Sequence, residues 1–86
     1  MASNKLYTVA TILTNHVNEI YPLMQGLSFD KKKVTDKVEE ILNANMDKIR
    51  DKEGARRCIM HLRIAEKKSY AAYTGTFVTW QSGSKI

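Results

Sequence analysis

Between Val34 and Trp80, apolar residues return at helical spacing with one interruption, at Arg50 and Asp51. No other feature constrains the fold of this chain as much. Val34, Val38, Ile41, Leu42, Met46 and Ile49 fall on one face of a helix, and the residues between them, Lys37, Glu39, Glu40, Asp47 and Lys48, leave the opposite face solvated. After Asp51, which supplies an N-cap, Ala55, Cys58, Ile59, Leu62, Ala65, Tyr73, Phe77 and Trp80 continue at nearly the same period. The spacing predicts one helix over about 30–50, capped by Ser28 or Asp30, and another over about 52–80. So short a connection makes the two helices antiparallel, a long helical hairpin. Gly75 and the β-branched run after it weaken the last turns, and a frayed tail is expected over about 82–86.

Upstream, Leu6, Val9, Leu13, Val17, Ile20 and Met24 mark a first helix over about 4–21, with Ser3 or Asn4 as its cap. Residues 7–14 are rich in β-branched side chains, but their alternation gives no clearly buried side, which favours helix over strand. Pro22 disfavours helical geometry at Tyr21, so the helix ends or kinks there. The expected fold is all-α: a single helical domain, 1–86, with a short N-terminal helix packed on or near a long antiparallel hairpin. A hairpin this thin leaves part of Val34, Ile41, Leu62, Phe77 and Trp80 uncovered, and a homo-oligomer is expected to cover them.

The composition, 43% hydrophobic and 27% charged, belongs to a globular chain rather than a disordered one. Cys58 is the only cysteine, so no internal disulfide forms. With no secretory signal at the start and no apolar run long enough to span a bilayer, the cytoplasm is the expected compartment and no membrane partner is expected. No spacing resembles a zinc site, a phosphate-binding glycine loop or a nucleophile elbow, and His16 and His61 stand on different helices. A non-catalytic protein without metal or cofactor is therefore expected.

The net charge of +5 is unevenly distributed. Residues 1–30 hold Lys5 against Glu19 and Asp30, so the whole basic excess lies later in the chain. Lys31, Lys32 and Lys33 occupy the first turn of the second helix and Arg56 and Arg57 the first turns of the third. The helix dipole disfavours cations at both places unless an anion visits, and free backbone N–H groups there make phosphate sites. The first helix carries an uncharged polar stripe, Tyr7, Thr11, Thr14, Asn15 and Asn18, suited either to reading a base or to a subunit contact. The ligand-binding candidates are thus Tyr7, Thr11, Lys31, Lys32, Lys33, Arg56 and Arg57, together with His61. Tyr70, Tyr73, Phe77 and Trp80 read as core or oligomer contacts before they read as a ligand cage.

The third helix, with Asp51, Glu53, Cys58, Leu62, Ala65 and then Tyr70-Ala71, resembles the small phage proteins that defeat CBASS immunity by sequestering its cyclic oligonucleotide signals. Tyr7 matches an N-terminal tyrosine of that family and one of Lys31, Lys32 and Lys33 a lysine before its second helix, while Arg57 stands where the family commonly carries an apolar residue. The resemblance implies an all-helical oligomer, a hexamer, that holds cyclic dinucleotides between subunits, with cyclic trinucleotides at a second site, in the host cytoplasm. It also implies immune evasion by a nucleotide sponge. Two other functions fit the same residues. One is a small DNA- or RNA-binding regulator, against which the acids of the second helix interrupt any basic stripe, so that no DNA is expected. The other is a phage protein that docks on a host protein through the surface from Tyr70 to Trp80.

Overall fold

The computed structural model describes residues 5–83. The expected caps Ser3 and Asn4, and the tail beyond Gly83, lie outside the described residues. Among the described residues five α-helices account for most of the chain: α1 (Val9–Asn15), α2 (Val17–Ile20), α3 (Lys31–Ala44), α4 (Lys52–Ala65) and α5 (Tyr70–Ser82). The all-helical expectation holds for these residues, but the boundaries differ in three places.

First, the N-terminal helix starts at Val9 rather than near residue 4. Thr8 caps it, its side chain accepting from the Thr11 N–H at 3.1 Å. Tyr7 is not helical. Its N–H donates to the Lys48 carbonyl at 2.7 Å, and its carbonyl accepts from the Arg50 N–H at 2.9 Å, an isolated parallel bridge to Ile49. These two bonds satisfy backbone groups that a helix would have used internally and lash the N-terminal segment to the α3–α4 connection. His16, at φ −111° and ψ 18°, then divides α1 from α2, and Pro22 heads a 3₁₀ turn over Tyr21–Met24.

Second, α3 stops at Ala44. Asn45 leaves helical geometry, and its side-chain amide donates back to the Ile41 carbonyl at 2.8 Å. A 3₁₀ turn over Met46–Lys48 follows, and Ile49 is extended and fully buried. The chain thereby reaches Asp51, which accepts from the Gly54 N–H at 2.9 Å and caps α4 as expected. Across the α3–α4 contact Arg63 pairs with Asp36 at 2.8 Å and Glu39 at 2.5 Å, and with Glu66 of its own chain segment at 2.9 Å. Lys32 and Arg63 hold the Asp36 carboxyl below the usual carboxylate range.

Third, the single helix expected over 52–80 is two helices. Residues 66–69 form a turn, and Ser69, at φ −67° and ψ 162°, caps α5 by accepting from the Ala72 N–H at 3.1 Å. The apolar period explains the break: Ala65 and Tyr73 are separated by a stretch with Lys67, Lys68 and Ser69, and a continuous helix would place Ser69 one turn before Tyr73 on the buried stripe. The turn sends α5 back along α4 and onto α1. Tyr21 lies 6.3 Å from the Phe77 ring, and the Thr14 hydroxyl donates to the Gln81 carbonyl at 3.5 Å.

This reversal overturns the reason for expecting an oligomer. Val34, Leu62 and Phe77 are fully buried and Ile41 nearly so within one chain, and only Trp80 of the five stays partly open. The core gathers Leu13, Ile20, Val34, Val38, Leu42, Ile49, Cys58, Leu62, Tyr73 and Phe77. Among the described residues a buried polar pair joins α3 to α5: the Tyr73 hydroxyl lies 2.7 Å from the Thr35 hydroxyl, which in turn donates to the Lys31 carbonyl at 2.8 Å. With the Thr35 proton committed to Lys31, Tyr73 is the donor of the pair.

Two measurements follow from this packing. In a continuous helix, Ser69→Ala would stabilise slightly, because alanine is the better helix former. As the cap of α5, Ser69→Ala should instead cost about 0.5–2 kcal/mol in urea denaturation. Burial also pushes the Tyr73 phenol up to about 12. The unfolded chain releases that proton from about pH 10, so between these values the unfolded state binds fewer protons and stability falls as pH rises. Tyr73→Phe should cost about 1 kcal/mol at neutral pH. That deficit should shrink or vanish by about pH 11, since the variant lacks the alkaline loss; denaturation of both proteins at the two pH values checks it.

Candidate functional site

Turning α5 back over α4 creates a groove between them. On α4, Arg57, His61 and Ile64 recur in steps of four and three residues, which places them along one stripe, and Lys68 follows in the turn after the helix. On α5, Ala72, Gly75, Thr76, Thr79 and Trp80 do the same. With Ala65 they enclose a groove of about 970 Å³, near the upper end of the range usual for small-molecule sites. Small residues open its floor. At Gly75 even an added Cβ would meet nothing within 4 Å.

The chemistry along the groove is one-sided. Arg57 stands toward one end and Lys68 toward the other, with the His61 imidazole between them and 5.6 Å from the Trp80 ring. Arg57 is also 3.6 Å from Asp51, a long pair between exposed groups that leaves the guanidinium available. Among the described residues no carboxylate lines the groove. Thr76 and Thr79 donate their hydroxyl protons to the Ala72 and Gly75 carbonyls, at 3.0 and 2.9 Å. An aromatic plate flanked by cations over a small-residue floor suits a flat, anionic ligand.

Trp80 and Thr79 also line a smaller hollow of about 320 Å³ whose lining includes Thr8, Arg50, Asp51, Gly54 and Gly83.

Of the residues singled out in the sequence, the groove brings together Arg57 and His61. The others stand elsewhere. Lys31 reaches the Lys68 carbonyl and lies 4.8 Å above the Tyr70 ring, so it braces the α4–α5 corner. Lys32 pairs with Asp36 at 2.9 Å. Lys33 and Arg56 are exposed and form no ion pair among the described residues. Tyr7 is held by its backbone, with Lys5 5.7 Å from its ring, and the Thr11 hydroxyl lies 3.0 Å from that of Thr8. Neither lines either cavity.

Both helix starts expected to receive phosphate are supplied with an internal carboxylate. Asp30 accepts from the Lys32 and Lys33 N–H groups at 2.9 and 3.3 Å, as Asp51 does from Gly54. Lys68, Thr76 and Thr79 were not singled out in the sequence, and Trp80 was read there as a core or oligomer contact, because a continuous helix would have carried it far from Arg57. The signal that finds them is Ser69, a good N-cap where the apolar period lapses. Among the described residues no group of His, Cys, Asp and Glu is placed to hold a metal ion, and no helix is long and apolar enough to cross a membrane. Cys58 is buried, and burial pushes its thiol up to about 12, away from the reactive thiolate.

Compared with known proteins, the chain matches no family model, no curated protein and no solved structure.

Proposed function

We propose that this protein binds cyclic oligonucleotide second messengers without altering them, and that the α4–α5 groove is where it does so. The supporting observation is the pairing, in one groove free of carboxylates, of the Trp80 ring with Arg57, His61 and Lys68. An indole stacks on any base, and guanidinium and ammonium groups on either side take the phosphates. The resemblance to phage CBASS antagonists extends this to a biological role: a cytoplasmic sponge that removes the signal from host anti-phage defence. Arg57 and His61 keep the ligand-binding role expected of them, and Trp80 replaces Tyr7 as the stacking ring.

Titration of the chain with cyclic di- and trinucleotides, duplex DNA and single-stranded RNA at physiological salt tests this. Cyclic oligonucleotides should bind and be recovered intact after heat release. Trp80→Ala should weaken them by about 1–3 kcal/mol. Arg57→Gln should weaken them by about 1 kcal/mol, with the loss shrinking as salt is added. Preference for duplex DNA or RNA, recovery of hydrolysed nucleotide, or indifference to both substitutions would overturn the proposal.

The same reading includes a homo-oligomer, a hexamer by the resemblance. Met60 and Ile64, each 51% exposed, sit one turn apart on α4, with Ile64 on the groove wall. A second copy over this rim would enclose the ligand as well as cover apolar surface. Sedimentation should show a species heavier than the 9.8 kDa chain; a monomer at micromolar concentration, with and without ligand, counts against it.

A further inference from the structure

We infer that Thr76 and Thr79 select the base: the groove favours a nucleobase that presents an exocyclic amine, adenine above all, over its oxo counterpart. The inference rests on the groove being a nucleotide site and names the ligand class within it.

Thr76 and Thr79 both line the groove, half-buried, three residues apart on the same side of α5. Each hydroxyl proton points back into the helix, to the Ala72 and Gly75 carbonyls. What each hydroxyl offers a ligand is therefore its lone pairs. The other polar groups among the groove's side chains are donors, Arg57, Lys68 and the Trp80 indole N–H, or in the case of His61 a ring that both donates and accepts. Acceptors for a base are thus concentrated on the two threonines, while donors stand where phosphate is expected.

The balance of hydrogen bonds then differs between bases. An amine donating to a threonine oxygen adds a bond, and the hydroxyl keeps the one it has. An oxo group at the same position meets lone pairs. To bond it, the hydroxyl must turn away from its helix carbonyl, exchanging one bond for another with no gain. Adenine and hypoxanthine share a ring outline but differ at position 6 and at the neighbouring N1, an acceptor in adenine and an N–H donor in hypoxanthine, so the threonine substitutions, rather than the ligand pair alone, isolate the acceptors at the amine position.

Isothermal titration of the full chain with cyclic di-AMP and cyclic di-IMP reads this directly. Cyclic di-AMP should bind about fivefold more tightly or better, one net neutral hydrogen bond's worth. Thr76→Val with Thr79→Val keeps the shape, removes both acceptors and should bring the two ligands to within about twofold by weakening cyclic di-AMP. Thr76→Ser with Thr79→Ser restores the hydroxyls and should restore the gap, which separates base selection from a general loss of fold. Equal affinity in the native chain, or a gap that survives the valine substitutions, overturns the inference while leaving the groove as a nucleotide site. Trp80→Ala should weaken both ligands alike. If neither ligand binds the native chain, the groove assignment and this inference fall together.

Discussion

Tyr73 and Phe77 have no exposed surface, and their burial depends on the reversal of the chain over residues 66–69. They are the two largest fully buried side chains among the described residues: Tyr73 reaches Thr35 of α3 and lies beside Phe29, and Phe77 lies beside Tyr21. Without the turn at Ser69 they would project along a rod that extends past the rest of the molecule. One serine hydroxyl accepting one N–H is worth about 1 kcal/mol, far less than the burial of two aromatic rings that it allows. Lys31 reinforces the same corner from α3, through the Lys68 carbonyl and the Tyr70 ring, and Phe29 packs against Tyr70 with ring centres 4.8 Å apart. The groove is a by-product of the reversal: its two walls are faces of α4 and α5 that border the core, which Ala65 and Trp80 join to the groove.

Charge follows the same logic. Asp30 and Asp51 occupy the first N–H groups of α3 and α4, so the basic residues beside them are released from answering the helix dipole. Lys31 braces a corner, Lys32 pairs with Asp36, and Arg63 gathers three carboxylates across the α3–α4 contact. Lys31 and Arg63 thus tie one helix to another, and Arg57 and Lys68 are the cations that line the groove.

The helical class, the Asp30 and Asp51 caps and the buried faces of α3 and α4 were legible, because each rests on local period or on a capping residue next to it. The end of α3 and the start of α1 were not, since both are set by the bridge between Tyr7 and Ile49, a contact between residues far apart in sequence. The break at Ser69 was legible in principle. Tyr73, Phe77 and Trp80 continue the α4 period closely enough to hide it, and a serine costs a helix little. The site inherited that error. Arg57 and His61, both sequence candidates, stand on α4 and line the groove, while Trp80 was read as a core or oligomer contact because nothing local reveals that α5 folds back beside His61.

The two halves of the proposed function depend on each other energetically. On the proposed reading, stacking on Trp80 would contribute about 1–3 kcal/mol and each exposed cation about 1 kcal/mol or less. Together these fall short of the roughly 8 kcal/mol that micromolar affinity requires, before the cost of immobilising the ligand is met. A sponge must bind at the low concentrations at which its signal acts. One groove on one chain, with Ile64 half exposed on its wall, does not remove enough water from the ligand to reach that. A second copy over the rim would add apolar contact through Met60 and Ile64. It would also lower the local dielectric around Arg57 and Lys68, where the same charges are worth more. Assembly is no longer needed to complete the core, which one chain closes by itself; if the groove sequesters a nucleotide, assembly is needed to close the site.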